Sequence, residues 1–111
     1  MPVVKFTTNV KPDNSEKLLS DIAQCISEVL DKPLKAVMMM FSQQEFYMNS
    51  SSDPAAYIEI FYVGEIDASV KTTLTDSLLE IFIKELHVDP YRVYMNLIQN
   101  KREDAWRYIE K

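Results

Sequence analysis

The sequence predicts a chain of the α/β (α+β) class, in which tandem β-α-β units build a four-stranded mixed sheet with two helices on one face. Three observations carry that prediction. Segments rich in β-branched and aromatic residues alternate with segments of helical periodicity, in the order β-α-β and again β-α-β. The joint between helix and second strand repeats, as Lys32-Pro33-Leu34-Lys35 and as Asp89-Pro90-Tyr91-Arg92. Each joint has a proline, a basic residue two positions on, and then an apolar strand. Finally, Val37, Met39, Phe41, Ile58 and Ile60 make the strands apolar enough for both sheet faces to need cover. Two helices cover only one face. A bare apolar face is a contact surface, so the pattern predicts a homo-oligomer.

The elements follow in order. Residues 2–8 (PVVKFTT) have the β-branched and aromatic content of a strand. Residues 9–14 hold a proline and end in helix-capping types. Residues 15–31 place apolar side chains at 18, 19, 22, 26, 29 and 30, the period of an amphipathic helix. Lys32-Pro33 ends it, because the residue before proline avoids the α region. Residues 35–42 (KAVMMMFS) read as a strand, 43–55 as a polar loop, and 56–63 (AYIEIFYV) as a strand closed by Gly64. Asp67 or Ser69 can cap a second helix that runs to about Leu86, with Val70, Leu74, Leu78, Ile81 and Phe82 on one stripe. Asp89-Pro90 breaks the chain before a fourth strand at 91–98 (YRVYMNLI), and residues 105–111 read as a short closing strand or turn.

Composition excludes several function classes. The 111 residues carry 12 basic and 17 acidic side chains, a net charge of −5, which opposes nucleic-acid binding. One cysteine, Cys25, permits no intrachain disulfide, and one histidine, His87, permits no His–His zinc site. The single glycine, Gly64, excludes a phosphate-cradling glycine loop. Residues 1–10 lack the cationic start and apolar run of a signal peptide. No apolar run approaches the ~20 residues that cross a bilayer. The expectation is a soluble, cytoplasmic protein without cofactor or metal.

Few side chains suggest chemistry. His87 sits at a helix end, where a cation suits the dipole. Cys25 lies among apolar helix neighbours and is expected to be buried and inert. Met38-Met39-Met40 reads as strand core, and Glu65 and Asp67 as turn or capping residues. Pro2 is different, because it follows the initiator Met1 directly. Loss of Met1 would leave a secondary amine at the N-terminus. An α-amino group ordinarily titrates at about 7.7–8, and an apolar pocket or a nearby cation frees its lone pair. Such a nitrogen can act as a general base beside a carbonyl.

Taken together, Met1-Pro2, Thr8-Asn9-Val10, Lys32-Pro33, Ser51-Ser52-Asp53-Pro54, Val63-Gly64, Arg92-Val93-Tyr94-Met95-Asn96 and Trp106 resemble the macrophage migration inhibitory factor and D-dopachrome tautomerase family over nearly the whole chain. The resemblance implies one tautomerase-like domain over residues 1–111, and a homotrimer with three sheets around a central channel and the helices outside. It also implies a keto–enol tautomerase pocket between subunits, acting on aryl α-keto acids such as phenylpyruvate. Pro2 matches the family's catalytic base. Lys32 matches the lysine that binds a substrate carboxylate, Val63 the residue whose backbone N–H helps bind substrate, and Tyr94 and Asn96 the phenol and amide supplied by the neighbouring subunit. Two positions apart on a strand, Tyr94 and Asn96 share a face.

The sequence departs from the family pattern at several points. Asn49-Ser50 replaces a Gly-Gly pair, Ala55 and Ile58 stand where some members have Cys-x-x-Cys, and Ala36 stands where an aromatic is frequent. Asp104 replaces an apolar wall residue, and the tail after Trp106 is Arg107-Tyr108-Ile109-Glu110-Lys111. These changes keep a second reading open: a cytokine-like or other binding protein, with a protein receptor, that retains the trimeric scaffold. The resemblance adds, for some members, an extracellular role reached without a signal peptide.

Overall fold

The computed structural model describes residues 2–103. Four strands form one sheet in the order β2-β1-β3-β4: β1 is Val3–Thr8, β2 Met38–Gln43, β3 Ala56–Val63 and β4 Val93–Asn100. The pairs β1/β2 and β3/β4 are parallel, and β1 and β3 join them antiparallel. The sheet is therefore two β-α-β units set side by side, as the element order requires. Helix α1 (Ser15–Leu30) belongs to the first unit and α2 (Ala68–Leu86) to the second.

Alternation along the strands explains where the helices pack. Val4, Phe6 and Thr8 of β1 and Ala56, Ile58, Ile60 and Tyr62 of β3 are buried on one face. Leu18, Ile22, Ile26 and Leu30 of α1 and Leu74, Leu78, Phe82 and Leu86 of α2 complete that core. Phe6 stands at its centre, stacked on Phe82 at 5.1 Å and on Phe41 at 5.6 Å between ring centroids. Each such buried apolar side chain contributes roughly 1.5–3 kcal/mol. The other sheet face is open in the protomer. Cross-strand register arranges it in rows, among them Met38, Val3, Phe61 and Ile98, and then Met40, Lys5, Glu59 and Asn96.

Several expectations need adjustment. The strand read at 35–42 starts later, because Leu34–Ala36 forms a 3-10 turn, with N–H groups of Ala36 and Val37 donating to Pro33 and Leu34 carbonyls. The fourth strand is delayed in the same way by a 3-10 turn at Pro90–Arg92. Proline with its fixed φ starts such a turn readily, so the repeated joint extends to conformation. Both helices stop on a left-handed residue, Asp31 (φ 53°) and His87 (φ 54°), before the proline acts. Asp67 stands at the N-cap of α2 but accepts no capping bond there. Within the protomer Met39 packs against the core, while Met38 and Met40, read as strand core, are exposed on the open face. Cys25 is half-buried rather than buried. Asp104, Trp106 and the predicted closing element at 105–111 lie outside the described residues, as does Met1.

Candidate functional site

The end of the sheet where β1 begins gathers three of the five predicted site residues. Pro2 is buried, and its carbonyl accepts the Met38 N–H at 3.1 Å. The antiparallel register pairs Val3 with Phe61, and one further step sets Pro2 across from Tyr62. Val63 is the last residue of β3 and pairs with Asn100. Beyond it, Gly64 turns the chain at φ 111°, a left-handed conformation open to glycine, and its N–H donates to the Asn100 carbonyl at 2.9 Å.

Lys32 reaches this end from α1. The left-handed Asp31 turns the chain back, so that the Lys32 N–H donates to the Ser27 carbonyl at 3.0 Å and the Ser27 hydroxyl donates to the Lys32 carbonyl at 2.5 Å. Pro33 then fixes φ at −60°. The Lys32 backbone is thus held on both sides. Its ammonium lies over the Tyr62 ring, 5.6 Å from the centroid. No described carboxylate lies within ion-pair distance of it. The result is an unneutralised cation beside an aromatic face, one residue from Val63 and across the sheet from Pro2.

Tyr94 and Asn96 do share a face, as their spacing predicts, but it is the open one. They pair with Tyr57 and Glu59 of β3. Tyr57 is six residues from Val63 and Glu59 four, so at a strand rise of ~3.3 Å the two positions lie about 20 and 13 Å along the sheet. One protomer does not bring all five residues together. Close by, the Tyr57 hydroxyl donates to Glu59 Oε1 at 2.8 Å, and that bond to a carboxylate pushes the phenol pKa up.

The Tyr94 end of the sheet is built on a residue whose role sequence reasoning missed. Arg92 is 3% exposed and makes no ion pair among the described residues. Its guanidinium instead donates to the carbonyls of Pro54, Met48, Ser51 and Asp53 at 2.9–3.2 Å. Asn9 grips the same loop, donating to the Ser52 and Asp53 carbonyls and accepting the Ala55 N–H. Within it, Asn49 and Ser50 are both left-handed (φ 52° and 56°), closing a tight turn between Met48 and Ser51. Asn49-Ser50 therefore occupies a conformation that suits Gly-Gly. The ordered loop walls an apolar cavity of about 280 Å³ lined by Phe46, Met48, Tyr57 and Tyr94.

With this geometry in hand, comparison with known proteins is decisive. The family model described as macrophage migration inhibitory factor (MIF) matches residues 1–104. The chain belongs to the macrophage migration inhibitory factor family. A macrophage migration inhibitory factor of Xenopus laevis is 30% identical over 98 residues, covering 86% of this chain and 85% of that protein. The solved structure of the macrophage migration inhibitory factor from Trichinella spiralis superposes with a TM-score of 0.84 at 21% identity, over 95% of both chains. A second solved structure, of a protein inactivated by 2-oxo-3-pentynoate, gives a TM-score of 0.81 at 13% identity, over 93% of this chain and 89% of that one. These two structures share the fold. Membership in the macrophage migration inhibitory factor family supports a tautomerase-type or cytokine-like protein.

Two further observations bear on chemistry. The Cys25 thiol is pushed up in pKa, by burial first and by nearby Glu28 second, which disfavours the reactive thiolate. No helix among the described residues is long and apolar enough to cross a membrane. Tyr62 went unremarked in the sequence, yet strand alternation makes it the last core-facing residue of β3. Its place on the helix-covered face could have been read from that alternation.

Proposed function

We propose that this member of the family is a keto–enol tautomerase of aryl α-keto acids such as phenylpyruvate, with Pro2 as general base. The observation that carries the reading is the convergence of Pro2, Lys32 and Val63 at one end of the sheet. Removal of Met1 makes the Pro2 nitrogen a secondary amine. The amine takes a proton from the carbon next to the ketone, breaking the C–H bond as electrons shift into the carbonyl. The proton returns to the carbonyl oxygen, giving the enol with no net change of atoms or charge. Lys32 holds the carboxylate, the Val63 N–H adds a donor, and no metal or organic cofactor takes part. That 2-oxo-3-pentynoate inactivates a protein of the same fold supports a 2-oxo acid as the substrate class.

Tyr94 and Asn96 join the site from a neighbouring subunit of a homotrimer. Their distance from Val63 within one protomer and the uncovered rows of the open sheet face support this assembly. The functional unit is then the trimer of one tautomerase-like domain, and no nucleic acid or membrane is involved.

The test is the Pro2→Gly variant, with the mature N-terminus defined by mass spectrometry and phenylpyruvate as substrate. General-base catalysis contributes about 10²–10⁴-fold, so kcat/KM falls by about that factor while the sedimentation coefficient stays that of a trimer. Activity of the parent protein declines on acidification, because a protonated amine has no lone pair. Full activity in Pro2→Gly, or none in the processed parent, replaces this reading with that of a binding protein acting through its surface and a protein receptor.

A further inference from the structure

We infer that Tyr62 is a positioning residue for Lys32, whose ring holds the ammonium at the Pro2 end of the sheet and so sets the affinity for a carboxylate ligand; the kinetic part of this inference rests on the tautomerase reading above. Four observations lead to it. Lys32 is rooted by two hydrogen bonds to Ser27 and by Pro33, yet the tip of its side chain has no described carboxylate to fix it. Among the described residues, the group placed to steady that tip is the Tyr62 ring, 5.6 Å away at its centroid. Tyr62 is 9% exposed and belongs to the core cluster, so its ring cannot swing away as a surface side chain would. Register sets the same residue across from Pro2.

An aromatic face attracts an ammonium through its quadrupole without cancelling the charge. A carboxylate partner would hold Lys32 equally well but would occupy the charge that an anionic ligand needs. The ring therefore orders the cation and leaves it available. Pre-ordering lowers the entropy lost on binding, since a long, flexible lysine side chain otherwise gives up its rotamer freedom when it is immobilised. The Tyr62 hydroxyl makes no hydrogen bond among the described residues, so the ring and not the hydroxyl is the working part.

That division gives the experiment, made on Tyr62→Phe, Tyr62→Leu and Lys32→Ala in the full chain. In the parent, NMR of the Lys32 side chain shows its ε-methylene protons shifted upfield by the ring current. Tyr62→Phe keeps that shift and Tyr62→Leu abolishes it. With phenylpyruvate, Tyr62→Leu raises KM by about two- to tenfold with kcat nearly unchanged, the range expected of a cation–π contact. Tyr62→Phe restores the parent KM, and Tyr62→Leu adds nothing to KM once Lys32 is alanine. The inference is overturned if the Lys32 resonances are unshifted in the parent, if Phe and Leu act alike, or if the Leu effect persists in the Lys32→Ala background. The ring-current measurement needs no turnover and no folded leucine variant. A parent without activity but with the shift therefore rejects the tautomerase reading while leaving the Tyr62–Lys32 contact in place.

Discussion

In the first β-α-β unit the residue before the joint proline is Lys32; in the second it is Asp89. Both follow a helix that ends on a left-handed residue, and both precede a 3-10 turn and a parallel strand. Their side chains do different things. Asp89 accepts the Tyr91 N–H and so caps its own turn, whereas in the first joint Pro33 takes the capping position without a side-chain bond and Lys32 extends over Tyr62. Two positions after the proline the contrast runs the same way. Arg92 is buried and ties down the loop that links the two units, while Lys35 is exposed. The second unit uses its charged joint residues for structure and the first lays one of them over the Tyr62 ring. A duplicated frame can diverge this way because backbone bonds close the turn in both copies, and the second copy adds a side-chain cap to them.

The largest break in the comparison is expected at Arg92. Arg92→Met removes four hydrogen bonds to carbonyls and leaves the loop at 48–54 held by Asn9 without the guanidinium. We expect a loss of about 2–4 kcal/mol in urea unfolding, on the scale of a disrupted buried polar network. Lys35→Met, at the equivalent position, is expected to cost much less. Equal losses at the two positions would mean that the units use the joint alike.

Much of this frame was legible in the sequence. Strand alternation and helix periodicity fixed which side chains face the core, and the repeated proline joint announced two equivalent units. The 3-10 turns and left-handed caps were not legible, because a proline signals that a helix ends but not how its last carbonyls are satisfied. The site was half legible. Pro2, Lys32 and Val63 were named by the family resemblance and stand at one end of the sheet, whereas the contact of Lys32 with Tyr62 was hidden, because Tyr62 looks like an ordinary strand residue. Arg92 was visible as part of a motif. Its work on carbonyls was hidden, because acceptors at 48, 51, 53 and 54 come together only when the loop folds.

A smaller effect sharpens the contrast at the joint residues themselves. Asp89→Ala loses the cap on the second turn and is expected to cost about 0.5–1 kcal/mol, with no change in KM. Lys32→Ala is expected to leave thermal stability nearly unchanged and to raise KM for a carboxylate substrate instead. Thermal unfolding and steady-state kinetics on both variants separate the two roles. A stability loss at Lys32 matching that at Asp89 would show that the first joint also uses its charged residue for structure.

The smallest expected effect lies where the two units touch through their helices. Lys17 of α1 bridges Asp21 of α1 at 2.7 Å and Glu85 of α2 at 3.3 Å. Two carboxylates thus crowd one ammonium, with Lys84 of α2 also acting on Asp21. Asp21 is held below the usual carboxylate range by its contacts with Glu85 and Lys17. Glu85 is pushed above that range, by burial first and by Asp21 second. Of the pair, Glu85 is therefore the one that takes up a proton. A carboxylate with a raised folded-state pKa costs stability when ionised, and the cost disappears as pH falls through the raised value toward the ordinary one, 4.5. Asp21 works in the opposite sense, its contribution being lost only at still lower pH. Glu85→Gln removes the costly charge, so at pH 7 the variant should melt no lower than the parent, and slightly higher. The difference should close as pH is lowered through the range in which Glu85 protonates. A variant that melts lower at pH 7, with a deficit that shrinks in acid, would mean that the Lys17 bridge outweighs burial and repulsion, and that the two units are held together by this charge cluster.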